Sequence, residues 1–173
     1  MGGWPYSEFE ANKKDVEGNF LKLFDSVPQL ADGLRSAKRE APIAGAAVLN
    51  YLRKPWGPGW VLVGDAGYNR DFITAQGITD AFRDAERCAT ALDEAFTGVR
   101  PFDEAMHAYQ HDRDTQVMSM FEFTCQLATL EPPPPEMQRL FASIAGNQKA
   151  MDRFVQMNAG TISPMEFFSG SSS

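Results

Sequence analysis

The residues best placed for chemistry lie between Gly59 and Ala85, in the run GWVLVGDAGYNRDFITAQGITDAFRDA. Trp60-Val61-Leu62-Val63 has the shape of a buried strand, and it stops at Gly64-Asp65. An aspartate at the carboxyl end of a parallel strand points into the crevice where α/β sheets bind cofactors, and its carboxylate accepts hydrogen bonds from sugar-like hydroxyls. A loop over 66–76 leads to Gly77, and Ile78 and Thr79 then start a helix. The first N–H groups of a helix have no intrahelical acceptor and carry partial positive charge, so they face whatever lies at that end. The plainer alternative for Gly64-Asp65 is an ordinary strand-to-loop turn with a helix cap further on.

Other candidates are weaker. His107 and His111 share a helical face at a spacing that can hold a metal, with Asp112 and Asp114 as conceivable further ligands. The residues between the two histidines, Ala108, Tyr109 and Gln110, make no HExxH, and a solvated polar face is the expectation. Cys88 and Cys125 lack the CxxC or Cys/His spacing of zinc sites and read as small buried groups in a reducing compartment. Arg83, Asp84, Glu86 and Arg87 suit surface pairs along a helix, with a tether from Asp84 to a neighbouring loop as the alternative. Serine-nucleophile motifs and P-loops are absent, and no side chain reads as a catalytic acid, base or nucleophile.

Gly64-Asp65, Ala75-Gln76-Gly77 and Asp84-Ala85, in this order and spacing, resemble the second flavin-binding motif of the FAD-dependent monooxygenases related to p-hydroxybenzoate hydroxylase. That superfamily also includes flavin-dependent halogenases and geranylgeranyl reductases. The resemblance implies the C-terminal part of an α/β, Rossmann-like FAD-binding fold. It puts Asp65 on the ribitol chain of FAD and Gly64, Gln76, Gly77, Ile78 and Thr79 around the flavin. Gly77 would let the backbone approach a flat ring, and the helix start would meet the pyrimidine edge, where negative charge accumulates on reduction. In such an enzyme NAD(P)H reduces FAD, and the reduced flavin activates oxygen for transfer to a small organic substrate or oxidises halide, so the cofactor carries the chemistry. Two positions depart from the family: Phe72 stands where proline is common, and Thr79 where asparagine is frequent.

The Gly-x-Gly-x-x-Gly fingerprint that holds the FAD pyrophosphate in an N-terminal βαβ unit is missing here, since Gly2-Gly3, Gly18, Gly33 and Gly45 are isolated or merely adjacent. The chain, less than half as long as such an enzyme, is therefore expected to be a C-terminal portion without the dinucleotide fold. It would work with a complementary N-terminal chain or as a homo-oligomer. The alternative is a truncated, catalytically inactive helical interaction module that no longer binds flavin.

The elements that must position these residues follow from composition and pattern. The 173 residues are 43% hydrophobic and 23% charged, enough apolar material for the core of one domain. A net charge of −7, from 16 Lys+Arg against 23 Asp+Glu, has the wrong sign for a partner in nucleic acid. The longest mostly apolar stretch, Ala41 to Leu49, is far short of the roughly 18–20 residues that span a bilayer, and the N-terminus does not read as a signal peptide. A cytoplasmic protein is expected.

Apolar spacing predicts helices over 7–27 and 30–39, a strand over 43–52, a turn cluster over 54–59 and the strand over 60–63. The clearest helix carries Ile78, Ala81, Phe82, Ala85, Ala89, Leu92 and Phe96 on one face, with Gly98 as terminator. Pro101 opens a helix running to about Leu130, Pro132–Pro135 form a non-helical spacer, and two short helices follow around a break at Gly146-Asn147. The fold class is thus mainly α, with one or two strands that have no visible partner. The resemblance divides the chain into 1–58 (end of the substrate-side region and a connecting strand), 59–98 (the flavin motif), 99–168 (C-terminal helices) and a disordered tail, 169–173.

Overall fold

The computed structural model describes residues 2–169 and is mainly helical, with two small antiparallel sheets. Where length suggested one domain, the chain divides into two compact units, the first ending at Val48 and the second beginning at Leu49.

In the first unit the predicted helix over 7–27 is broken. A 3-10 turn at Tyr6–Glu8 leads into α1 (Phe9–Asn12), another at Lys13–Asp15 into α2 (Val16–Leu23), and a third covers Phe24–Ser26. Asp15 causes the first break. Its backbone leaves the helical region at φ −147° and ψ 74°, and its carboxylate accepts from the Gly18 N–H at 2.9 Å, so the chain is recapped as a new helix. Helix α3 (Pro28–Ser36) starts on Pro28, whose fixed φ suits a first turn. The strand expected over 43–52 shrinks to its last two residues, because Ala44-Gly45-Ala46-Ala47 offers a sheet neither branched side chains nor area to bury. Ala31 is the one buried hydrophobic residue of this unit among the described residues.

The second unit supplies the partners that the strands lacked in sequence. β1 (Tyr51–Leu52) pairs antiparallel with β4 (Tyr68–Asn69), in the register Tyr51↔Asn69 and Leu52↔Tyr68. β2 (Trp56–Gly57) and β3 (Trp60–Val61) form a hairpin through Pro58 and Gly59. Gly59 sits at φ +81°, and proline followed by a left-handed glycine is the pattern of a type II turn. The run 60–63 is therefore a two-residue hairpin arm with Trp60 exposed, not a buried parallel strand. The cluster of turn formers holds a strand as well as a turn, with Pro55 and Trp56 buried.

Two long helices carry the unit. α4 (Gly77–Phe96) ends at Gly98, φ +75°, and α5 (Phe102–Leu127) begins after Pro101, so a short loop makes them an antiparallel hairpin. Trp56, Cys88, Ala91, Ala105, Met106 and Tyr109 form the core between this hairpin and the β2–β3 arm. The Trp56 indole N–H donates to Gln110 Oε1 at 3.1 Å, and its ring meets those of Phe102 and His107 edge-on. Tyr109 Oη donates to the Leu62 carbonyl at 2.7 Å, fixing the segment that leads into Gly64.

The C-terminal half of α5 packs on α6 (Pro135–Ile144), α7 (Gln148–Asn158) and α8 (Pro164–Ser169), around Met120, Phe123, Ile144, Met157 and Phe167. Met157, 1% exposed, contributes about 1.5–3 kcal/mol by burial alone. Pro135, expected in the non-helical spacer, is the first residue of α6, in the first turn where no N–H is needed for the helix. Gly146 and Asn147 separate α6 from α7 as expected, and the Asn147 side chain caps the latter through the Ala150 N–H. Of the tail 169–173, Ser169 closes α8 and 170–173 lie outside the described residues. No helix among the described residues is long and apolar enough to cross a membrane.

Candidate functional site

The end of the β2–β3 hairpin and the start of α4 meet at Gly64. Its φ of +54° is left-handed, and a Cβ there would stand 3.0 Å from Ala81 Cβ and 3.2 Å from Ala81 Cα. Glycine is thus required twice, for backbone conformation and for close approach to the helix. The Gly64 N–H donates to Asp84 Oδ2 at 3.1 Å, and Asp84 is fully buried. Burial pushes the Asp84 carboxyl above the usual aspartate range, against the opposing pull of the Gly64 bond and the Arg113 charge. The tether between helix and loop is therefore real, and Asp84 does not form a surface pair.

Asp65 follows Gly64 in a 3-10 turn, Gly64–Ala66, and is exposed. Its Oδ1 lies 3.6 Å from where a Gly77 Cβ would stand, so the carboxylate and the first residue of α4 are neighbours across the loop. Asp65 makes no hydrogen bond or ion pair among the described residues. Gly77, Ile78 and Thr79 are exposed, and no side chain caps α4, which leaves its first N–H groups open to a ligand. Gly64, Asp65, Gly77, Ile78 and Thr79 thus gather at one end of α4. Gln76 does not join them: it is buried, and its amide donates to the carbonyls of Thr74, at 3.2 Å, and Asn158. The strand before Asp65 is antiparallel, so the carboxylate sits at a hairpin exit and not at the carboxyl edge of a parallel sheet.

The loop over 66–76 is built, not slack. Asp71 caps a 3-10 turn at Phe72–Thr74 through the Ile73 N–H at 2.9 Å, and Ala75 takes a left-handed φ of 53°. The Thr124 hydroxyl donates to the Met120 carbonyl at 2.7 Å and receives a hydrogen bond from the Thr74 hydroxyl at 2.9 Å. Phe72, the first residue of this turn, is exposed.

Helix α4 faces the reverse of the way its apolar stripe suggests. Asp80, Asp84, Cys88 and Ala91 are buried, while Ile78, Phe82 and Phe96 are 76%, 75% and 80% exposed. The inward carboxylates each have partners waiting. Asp80 accepts from Arg70 and Arg83, and Asp84 from Gly64, without which burying either charge would be prohibitive.

Sequence reasoning missed Arg70, Asp80 and Arg113. Arg113 lies in the polar stretch of α5, yet its side chain is 1% exposed, donating to the Arg53 carbonyl at 3.1 Å and to Asp114 Oδ1 at 2.6 Å, with its guanidinium over the Tyr68 ring. Burial pushes the Tyr68 and Tyr109 hydroxyls well above the usual tyrosine range, so both stay neutral, and Tyr109 is the one that donates, to the Leu62 carbonyl. The i,i+3 spacing of Asp80 and Arg83 was a readable signal, whereas nothing local marked Arg113. His107 Nδ1 stands 2.7 Å from the Asp103 carbonyl, and His111 and Asp112 are exposed. Comparison of the chain with family models, curated proteins and solved structures returned no match.

Proposed function

We propose that the second unit is the flavin-binding part of an FAD-dependent oxidoreductase, of the NAD(P)H- and oxygen-dependent monooxygenase type, acting on a small organic substrate. The observation that carries this is the approach of Asp65 to the uncapped start of α4. A free carboxylate acceptor stands beside a free set of N–H donors, with a glycine between them and no side chain over the gap. This arrangement fits a polyhydroxyl chain on Asp65 and an electron-rich ring edge at Gly77, Ile78 and Thr79. FAD supplies hydride and oxygen chemistry when bound, while the chain binds and orients it. No residue here is assigned a proton-transfer role.

The test is a flavin-fluorescence titration of the chain. Saturable but weak quenching is expected, with FAD binding no more than severalfold tighter than riboflavin, because the residues named address the ring and ribitol and not the adenosine half. Asp65→Ala removes a charge-assisted acceptor whose loss is about 1.5–3 kcal/mol, so affinity should fall roughly 10-fold or more. Equal affinity of parent and Asp65→Ala, or no flavin binding at any concentration, overturns the assignment.

A second reading, a helical interaction module indifferent to flavin, draws on the exposed apolar face of α4, where Ile78, Phe82 and Phe96 stand in solvent. Large apolar side chains left exposed on one helix are the raw material of association surfaces. Size-exclusion chromatography with and without FAD separates the two: association unaffected by flavin and by Asp65→Ala supports the module.

A further inference from the structure

A cleft of about 240 Å³ lies among the loop before α4, α4 itself, α5 and the segment 160–166. It is smaller than the roughly 300–1,000 Å³ of pockets for drug-sized ligands, which points to a compact occupant. Arg70 and Arg83 both line it, and both donate to the same carboxylate, Asp80. The Arg70 side chain is 6% exposed and that of Asp80 2%, so two cations share one anion in a largely buried place. Neither Arg70 Nη1 nor Arg83 Nε has an acceptor among the described residues. A guanidinium only donates, so what these atoms lack is an acceptor, and the surplus positive charge calls for an anionic one.

The walls agree with that demand. Thr115, Ser119 and Ser163 bring hydroxyl groups to the same cleft. Glu166 also lines it, but it is exposed and pairs with neither arginine, so it does not supply the missing charge. We propose that this cleft binds a compact oxyanion, the phosphate or carboxylate group of a small molecule, with Arg70 and Arg83 as its principal donors. The inference is independent of flavin binding, because Asp65, Gly77, Ile78 and Thr79 are not among the lining residues.

The experiment is thermal unfolding of the full chain titrated with sodium phosphate and with sodium succinate, each against sodium chloride at equal ionic strength. Phosphate, succinate or both should raise Tm saturably beyond chloride, and whichever acts identifies the source of the oxyanion. Arg83→Gln should weaken the apparent affinity at least tenfold. Thr115→Glu, at an exposed helical position, should do the same by placing a like charge in the cleft while leaving the arginines intact. Arg100→Gln, whose parent side chain pairs with Glu94 outside the cleft, should keep the full response. A shift no larger than that of chloride, or an affinity unchanged by Thr115→Glu, overturns the proposal.

Discussion

Gly64 and Gly77 both belong to the flavin-like motif, and their surroundings predict opposite consequences for the same substitution. At Gly64 an alanine must adopt φ +54°, where an L-residue is disfavoured by roughly 1–2 kcal/mol. Its methyl would also stand 3.2 Å from Ala81 Cα, backbone that cannot yield without moving the helix, and such overpacking adds roughly 1–3 kcal/mol. Gly64→Ala should therefore lower unfolding stability by about 2–5 kcal/mol. At Gly77 the nearest atom to the new methyl is Asp65 Oδ1 at 3.6 Å, an ordinary contact, and helical backbone favours alanine by up to about 1 kcal/mol.

Gly77→Ala should thus leave stability unchanged or slightly raised, yet weaken flavin binding by filling the gap beside Asp65. The assay is urea and thermal unfolding followed by tryptophan fluorescence, since Trp56 and Trp60 lie in the hairpin that leads to Gly64. At roughly 2–4 °C per kcal/mol for a chain of this length, Gly64→Ala should unfold about 4–20 °C lower. A Gly64→Ala protein within about 0.5 kcal/mol of the parent, or a Gly77→Ala protein equally destabilised, would refute the geometric reasoning.

Two further substitutions probe the buried polar groups. Asp84 holds more proton when folded than when unfolded, so its contribution to stability falls as pH rises from about 3.9, the ordinary aspartate value. Asp84→Asn keeps an acceptor for the Gly64 N–H and abolishes that loss, so between pH 4 and 8 the stability difference should grow in the variant's favour. A difference independent of pH sinks the argument. Thr124→Val strands the Thr74 hydroxyl in a dry site and should remove about 1–3 kcal/mol, part of which the Thr74→Val/Thr124→Val pair recovers by deleting both ends of the bond. Urea unfolding of Thr124→Val, Thr74→Val and the pair checks this, and a double variant no more stable than Thr124→Val contradicts it.

The helical hairpin was legible because its signals are local. A long 3–4 periodicity, Gly98 just beyond one helix and Pro101 just before the next each act within a turn of where they stand. The grouping of Gly64, Asp65 and Gly77 came from the resemblance and not from local spacing, since the loop over 66–76 that joins them holds a strand and a 3-10 turn of its own. The break at Asp15 was less so, because a side chain that caps competes with a periodicity that says continue.

The sequence by itself determined where the two long helices lie, and that the chain carries a carboxylate at Asp65 and a glycine-led helix start at Gly77. Only the tertiary structure decided which way α4 turns. Its apolar stripe of Ile78, Phe82 and Phe96 reads as a core face, yet Asp80 and Asp84 point inward, because Arg70, Arg83 and the Gly64 N–H are there to receive them. Periodicity shows that a helix has two faces. Which one is buried depends on partners that other segments bring, and for a buried carboxylate those partners outweigh the roughly 1.5–3 kcal/mol that an exposed apolar side chain forgoes.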